Sequence, residues 1–385
     1  MKRVWAWLVP ALVTAGLAQP QTATREGNYW IATGTGSVQV QPRLKVVGRG
    51  TVTLRGEDRT DVAYSVRKRV RAMNAHEAQG KIARIGLKAV QERGWTVMHV
   101  QWPAGVDGTA DLEVRAPKHL KEAIVDNQLG GIEVYDLDGS LLAKTAAGPV
   151  RVDRIRGLLR IGTGGGDVHI GRIEGPVRVF SGGGSITAAW LGSDAFLETA
   201  GGEIVVLEAM KRVQASAGAG GNIRIQRAAG DVALSTGGGV IDASRVSGLV
   251  RAKTDTGSIR VRSAESVDLS SGAGQIRIQD VRGVIQATTE LGSIIAELRA
   301  GRLLEDSLLS TQSGDITVYI PSNIAMAVDA MNTSPGGHRI FSDFPEIKPS
   351  LAGGNMRFLA QGSINGGGAT LRLAAQGGSI FLRRK

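Results

Sequence analysis

The sequence predicts an all-β protein, a β-solenoid in which short coils of about 18 residues stack on one another. Three observations lead to this prediction. A glycine-rich turn recurs at nearly constant spacing, apolar residues alternate in the strand after each turn, and the 385 residues include 54 glycines but only 4% aromatic residues. Such a composition suits tight β-coils better than a helical or nucleotide-binding enzyme.

The repeat is clearest in segments such as TGGGDVHI, SGGGSITA and QSGDITV, where a glycine-rich turn precedes a strand. We call the last glycine of each turn the anchor. From Gly166 to Gly292, consecutive anchors are 17 to 19 residues apart. We expect these glycines to supply the positive φ that a tight corner requires. The anchors are Gly166, Gly184, Gly202, Gly221, Gly239, Gly257, Gly274, Gly292 and Gly314, with an isolated copy at Gly378.

Apolar residues at fixed distances from the anchors predict the inner surface of each coil. The second and fourth residues after every anchor are apolar, as Val168 and Ile170 are, and the residue between them is often polar. A similar pair precedes each turn, and an apolar corner follows seven residues after the anchor, as at Ile173. Alternation with period two indicates half-buried strands, and stacking pairs their backbone groups with those of the next coil.

The amino terminus has the pattern of a secretory signal peptide, predicted over residues 1–18. A basic start is followed by an apolar run from Val4 to Leu17 and by small residues at Gly16 and Ala18. The run is shorter than the ~20 residues that span a bilayer. Its removal leaves 44 basic and 35 acidic residues, a net charge of +9, and no transmembrane segment. We therefore expect an exported protein that is periplasmic, attached to the cell surface or secreted, and stable without disulfides because it has no cysteine.

Four segments follow the predicted signal peptide. Residues 19–27 form a linker, 28–130 a β-rich amino-terminal segment, 131–320 the solenoid repeats and 321–385 the closing strands. We expect the amino-terminal segment to cover the open first edge of the solenoid, which would otherwise be a template for aggregation.

One helix interrupts the amino-terminal segment. Asn74 and Glu77 form a capping box, and the apolar residues after them predict a helical face that Gly94 ends. These apolar residues are Ala78, Ile82, Ile85 and Val90.

The carboxyl-terminal third carries a more specific pattern. The run SGDITVYIPSNIAMAVDAMNTSPGGHRIFSDFP, from Ser313 to Pro345, and the closing GGGATLRLAAQGGSIFLRRK resemble the end of a bacterial adhesin-like family of unknown function, whose domain is called toastrack. The resemblance extends from about Leu44 to Arg384. It implies an exported β-solenoid without known catalysis and with no established active-site residues. The chain departs from the family in lacking an obvious membrane anchor or attached signalling domain.

The sequence offers weak support for catalysis or cofactor chemistry, and we expect no enzyme activity, no cofactor and no metal site. The residue after the anchor is Asp only at Asp167 and Asp315, whereas calcium-binding repeats need it in every coil. The histidines have no metal-ligand spacing. The alternative is a polysaccharide-acting enzyme, in which charged residues gather on neighbouring coils: Asp242, Asp255 and Asp268 with Arg251, Arg260 and Arg277.

Two sets of arginines share outward positions in different coils and predict a cationic stripe. The first set is Arg224, Arg260 and Arg277, and the second is Arg172, Arg227 and Arg245. A row of cations suits a polyanion with regularly spaced charges. We therefore predict a non-enzymatic envelope or adhesin-like protein that binds anionic surface material or an envelope protein, and not nucleic acid. A further alternative is a scaffold that assembles end to end; the oligomeric state is left open.

Overall fold

The computed structural model describes residues 22–301, 305–333, 339–352 and 357–385. The predicted signal peptide and the start of the linker lie outside these residues. The chain divides into two compact units, Met1–Gly183 and Gly184–Lys385. Strand pairing continues in register past residues 130 and 320, where segment boundaries are predicted.

The first unit contains one helix and fifteen strands among the described residues. In chain order these are β1 (Thr24–Glu26), β2 (Tyr29–Gln39), β3 (Arg43–Gly48), β4 (Val52–Glu57), β5 (Asp61–Val70), α1 (Ala75–Arg84), β6 (Gly86–Glu92), β7 (Trp95–Gln101), β8 (Gly108–Pro117), β9 (Glu122–Asn127), β10 (Ile132–Leu137), β11 (Ser140–Thr145), β12 (Val150–Ile155), β13 (Leu159–Thr163), β14 (Val168–Ile173) and β15 (Val177–Ser181).

The second unit contains only strands in its described part. They are β16 (Ile186–Leu191), β17 (Ala195–Thr199), β18 (Ile204–Ala209), β19 (Val213–Ala217), β20 (Ile223–Ala228), β21 (Val232–Thr236), β22 (Ile241–Val246), β23 (Leu249–Thr254), β24 (Ile259–Val261), β25 (Ser266–Ser271), β26 (Ile276–Gln279), β27 (Ile285–Leu291), β28 (Ile294–Glu297), β29 (Ser307–Ser313), β30 (Ile316–Ile320), β31 (Met326–Asn332), β32 (Ile340–Ser342), β33 (Lys348–Ala352), β34 (Arg357–Ile364), β35 (Thr370–Ala375) and β36 (Ile380–Arg384).

Both units are β-solenoids, as predicted, because successive strands alternate between two parallel sheets, here called A and B. In the first unit, sheet A includes β4, β10, β12 and β14, and sheet B includes β3, β9, β11, β13 and β15. In the second unit, sheet A runs from β16 to β30 through the even-numbered strands, and sheet B from β17 to β29 through the odd-numbered ones.

The predicted apolar ladders form the core between the two sheets of each unit. Every residue at the second position after an anchor is at most 1% exposed, from Val168 to Ile380. The fourth positions, the upstream pairs and the corner residues are buried as well. Since each coil contributes the same inward positions, one pattern of burial is repeated along the stack.

The anchor glycines serve a purpose other than the predicted one. Among the anchors, only Gly314 has φ in the left-handed region, at 145°. Instead, a methyl group at an anchor such as Gly257 would overlap the carbonyl oxygen of the anchor in the preceding coil, Gly239. The prediction of positive φ at every corner is therefore wrong. Glycine is required because stacked turns approach too closely for a Cβ atom.

A buried row of hydroxyl groups lies beside these turns. The hydroxyl of Thr236 donates to the carbonyl oxygen of Gly221 in the preceding coil at 2.7 Å and accepts from the amide of Gly239 in its own coil at 3.2 Å. Equivalent hydroxyls donate in the same way to the preceding turn: Thr145, Thr163, Ser181, Thr199, Thr254, Ser271, Thr289 and Thr311. Asn127 in the first unit and Asn332 in the second unit likewise donate from their side-chain amides to glycine carbonyl oxygens.

The helix is shorter than predicted. Its amino-terminal cap is confirmed, because the Asn74 side chain accepts a hydrogen bond from the amide of Glu77 at 2.9 Å. It ends at Arg84 rather than near Gly94, and the segment around Val90 is strand β6. Arg93 and Gly94, with φ of 48° and 80°, form the tight turn of a β6–β7 hairpin, which competes with continuation of the helix. Among the described residues, no helix is long and apolar enough to cross a membrane.

Strands out of sequence order complete each unit. Sheet A of the first unit continues from β4 through β8, β5 and β2, and sheet B from β3 through β7 and β6. In this unit the predicted linker includes β1, which pairs with β2. In the second unit, β35 pairs with both β29 and β31, and β36 with both β30 and β32. The final strands are therefore inserted into the stack and do not close it; β31, β34 and β33 lie beyond them in sheet B.

Candidate anion-binding face

The outer surface of sheet A in the second unit brings most of the predicted arginines together. Strand pairing aligns Arg224 with Asp242, Asp242 with Arg260, and Arg260 with Arg277. These side chains point outward because the alternate residues on the same strands are buried. Since neighbouring strands lie about 4.8 Å apart, the four residues form a continuous column.

A second column lies on the same surface. Arg227 of β20 is aligned with Arg245 of β22 and, on its other side, with Glu208 of β18. Arg172 occupies the equivalent position on β14, in the first unit, and is not part of this cluster. Five of the six predicted arginines thus share one surface of the second unit.

One further arginine of this surface was missed from the sequence. Arg262 follows β24, is exposed, and directs its guanidinium to the Asp242 carboxylate at 3.3 Å. Its position two residues after Arg260 was the available signal, because residues two apart on a strand face the same side. We call the six residues together the arginine face: Arg224, Arg227, Arg245, Arg260, Arg262 and Arg277.

Ion pairs hold most of these guanidinium groups. Arg260 and Arg262 share the Asp242 carboxylate, at 3.8 and 3.3 Å. The other pairs lie at the margins: Arg224 with Glu203 at 3.4 Å, Arg227 with Glu208 at 3.1 Å, and Arg277 with Glu297 at 3.4 Å. The five paired arginine side chains remain 45 to 55% exposed, so solvent and ligands reach them. Arg245 has no ion-pair partner within the described part of the chain.

The charge balance of the face is positive. Its six arginines contact four carboxylates, so two positive charges remain uncompensated; only Asp242, whose side chain is 14% exposed, lies among the strands that carry the arginines. Of the other carboxylates, Glu203 precedes β18, Glu208 lies on β18 and Glu297 lies on β28, all outside the four strands that carry the arginines. Exposed ion pairs each contribute little to stability, so an incoming anion competes with them at small cost.

Glu297 defines one margin of the face. Its carboxylate accepts hydrogen bonds from the Gln279 amide at 2.7 Å, from Lys385 at 3.2 Å and from Arg277 at 3.4 Å. The Gln279 bond, followed by the two cations, holds the pKa of Glu297 below its ordinary value. Glu297 therefore remains ionised in mild acid and keeps Arg277 in place.

The carboxylates proposed for an enzyme do not gather. Asp242 faces outward on sheet A, whereas Asp268 faces outward on sheet B and pairs with Arg251 at 4.0 Å. Asp255 lies in the turn between β23 and β24. The expectation of a cluster on neighbouring coils is therefore wrong, because alternate strands of one coil belong to different sheets.

The histidines give no metal site in the described part of the chain. His76, His99, His119 and His169 lie on separate elements or loops, and His338 falls outside the described residues. His119 contacts the Asp138 carboxylate at 2.5 Å. No group of three or more His, Cys, Asp or Glu side chains that could hold a metal ion occurs in residues 22–301, 305–333, 339–352 and 357–385.

Comparison with known proteins supports the resemblance found in the sequence. Residues 205–348 match the model of the family described as Toastrack DUF4097, and this range includes all six arginines of the arginine face. No curated protein matches the chain.

Two solved structures are similar to this chain at low identity. The "putative cell adhesion protein" of Clostridium sporogenes is 8% identical over 92% of this chain and 100% of its own, with a TM-score of 0.19. The "putative adhesin" of Bacteroides fragilis is 18% identical over 64% of this chain and 95% of its own, with a TM-score of 0.27.

Proposed function

We propose that the protein is an exported, non-enzymatic binding protein of the cell envelope whose arginine face contacts an anionic polymer. The observation that carries this proposal is the cluster of six outward arginines in contact with four carboxylates, with Arg245 unpaired in the described chain. Guanidinium groups suit phosphate and carboxylate ligands because they donate two parallel hydrogen bonds.

The spacing of the face favours a polymer over a single small anion. Its arginines are carried by four consecutive strands of sheet A, so the charges extend over roughly 14 Å at the usual strand separation. A phosphate-bearing polymer or an acidic polysaccharide can present several charges over that length. Each contact is weak by itself, and binding depends on their sum.

The amino-terminal pattern and the net charge support the same role. A secretory signal would bring the protein to the envelope, where anionic polymers are exposed. In this proposal the protein is located in the periplasm, at the cell surface or outside the cell.

The test is co-sedimentation of the purified protein with isolated cell envelopes. We expect binding at about 0.1 M salt and its loss at about 1 M, since the Debye length falls from about 10 Å to about 3 Å. Replacing Arg224, Arg260 and Arg277 with glutamine should weaken binding roughly tenfold, because three surface interactions sum to about 1.5 kcal/mol or more.

The matched control removes the same charge elsewhere. Arg160, Arg178 and Arg372 are exposed on sheet B of their units, and their replacement with glutamine should leave most binding intact. Both triple variants should unfold within about 0.5 kcal/mol per substitution of the parent protein. Equal loss in the two variants would mean that net charge alone drives binding, and absence of binding at either salt concentration would overturn the proposal.

A further inference from the structure

A second site lies on the outer surface of sheet B in the second unit. Strands β19, β21, β23 and β25 form the floor of a depression of about 470 Å³. Strand pairing fixes the outward residues around it, because Ser216 is aligned with Ser235, Ser235 with Lys253, and Lys253 with Ser270. A parallel column aligns Ala233 with Arg251.

The depression results from differences in side-chain size. Ala233 and Ser235 are the outward residues of β21 and rise little above the backbone. Arg251 and Lys253, at the aligned positions of β23, are long. The small side chains of β21 beside the long side chains of β23 leave a recess, and the two cations line one side of it.

These two cations make few ion pairs or hydrogen bonds with the rest of the protein. Arg251 approaches the Asp268 carboxylate at 4.0 Å, beyond hydrogen-bond distance. Lys253 is exposed and makes neither an ion pair nor a side-chain hydrogen bond within residues 22–301, 305–333, 339–352 and 357–385. Since Asp268 compensates one charge, the recess keeps a net positive charge.

Three hydroxyl groups add hydrogen-bond donors. Ser216, Ser235 and Ser270 lie in one row with Lys253, about 4.8 Å apart from strand to strand. Their hydroxyls have no hydrogen-bond partner in the described part of the chain. The recess thus combines two cations with free hydroxyl donors, a combination that matches the acceptor oxygens of a tetrahedral oxyanion.

We propose that this recess binds a phosphate or sulfate ester group over β21, with Lys253 and Arg251 neutralising the charge and Ser235, which is aligned with Lys253, donating to its oxygens. Its two cations, Arg251 and Lys253, lie two residues apart on one strand, β23, and so can meet a single group, whereas the arginines of the arginine face are distributed along four strands. It lies on sheet B and uses none of the six arginines of sheet A. The proposal therefore stands independently of the proposed function.

The experiment is an NMR titration of the full-length protein with inorganic phosphate, glycerol phosphate and inorganic sulfate, with glycerol as the uncharged control. Saturable shifts at β19, β21, β23 and β25 are expected with the anions and not with glycerol. The anion with the lowest Kd identifies the ester type. Lys253→Gln should raise that Kd roughly tenfold, since a charge-assisted hydrogen bond is lost.

Two further variants make the outcome decisive. Ser235→Leu fills the recess with an exposed side chain and should abolish saturation without unfolding the protein. Arg224→Gln, on sheet A, should leave the titration unchanged. The proposal is overturned if no anion saturates, if Lys253→Gln binds as tightly as the parent, or if the shifts vanish in Arg224→Gln instead.

Discussion

The turn edge and the arginine face of the second unit differ in how tightly structure constrains each position. The turn edge consists of the anchor glycines and the buried hydroxyls that precede them, and most coils repeat the same contact there. The arginine face lies on the same coils, yet aligned outward positions carry Arg, Asp or other residues. Packing dictates the first region, whereas the second is free to carry function.

Two coils of the turn edge lack the hydroxyl, and they show that it is less strictly required than the anchor glycine. Ala217 and Ala375 end strands β19 and β35 at the ladder position and have no hydroxyl. The Ala217 coil is also longer, with 19 residues between Gly202 and Gly221. In the Ala375 coil, the carbonyl oxygen of Gly378 accepts from the Asn332 side chain at 2.6 Å. Individual coils tolerate loss of the hydroxyl, but the anchor remains glycine in both.

Among the substitutions that test the difference between the two regions, we expect the largest loss of stability at an anchor glycine. Gly257→Ala places a methyl group against the carbonyl oxygen of Gly239, where backbone must move. We expect a loss of about 2 to 4 kcal/mol in the free energy of unfolding, measured with urea. Gly220→Ala is the matched control, because nothing lies near its added methyl group, and it should change stability by about 1 kcal/mol or less. Similar losses in both variants would contradict close approach as the reason for glycine.

A smaller effect is expected for the hydroxyl row. Thr289 is 4% exposed and donates to the carbonyl oxygen of Gly274 at 3.1 Å. Thr289→Val keeps the shape and removes the bond, which leaves a buried carbonyl without that donor. We expect a loss of about 1 to 3 kcal/mol by urea unfolding. Its neighbour Thr288 points outward, so Thr288→Val should have little effect, and equal effects would show that the row is not stabilising.

The smallest effect is expected at the margin of the arginine face and depends on pH. Because the folded-state pKa of Glu297 is lowered, its interactions stabilise the protein above the ordinary glutamate pKa of 4.5 and are lost as pH falls through the folded-state pKa. Glu297→Gln should cost about 0.5 to 1 kcal/mol at pH 7, measured by urea unfolding. The difference from the parent should disappear in acid below that pKa. A difference that persists there would assign the effect to packing rather than charge.

In the described part of the chain, the fold was predictable at positions that have the same role in every coil. The residues two and four after each anchor face the core in every coil, so their apolar character is visible as a period in the sequence. The β-rich character predicted for the amino-terminal segment is confirmed for the same reason, since Leu44 and Val46 alternate with outward residues. The hydroxyl residues also recur, three residues before most anchors. They were not predicted to be buried, because polar residues next to glycine are typical of an ordinary exposed turn.

The coil, its period, its buried ladders and the outward arginines could be predicted from the sequence, because each depends on residues close in sequence or at a constant spacing. The three-dimensional structure was needed to show which carboxylates pair with which arginines and that Asp242 and Asp268 lie on different sheets. It was also needed to show that β35 and β36 are inserted between earlier strands and that the anchors are glycine because neighbouring turns approach closely. These features depend on distances between coils, and stacking brings together residues whose separation in sequence carries no period of its own.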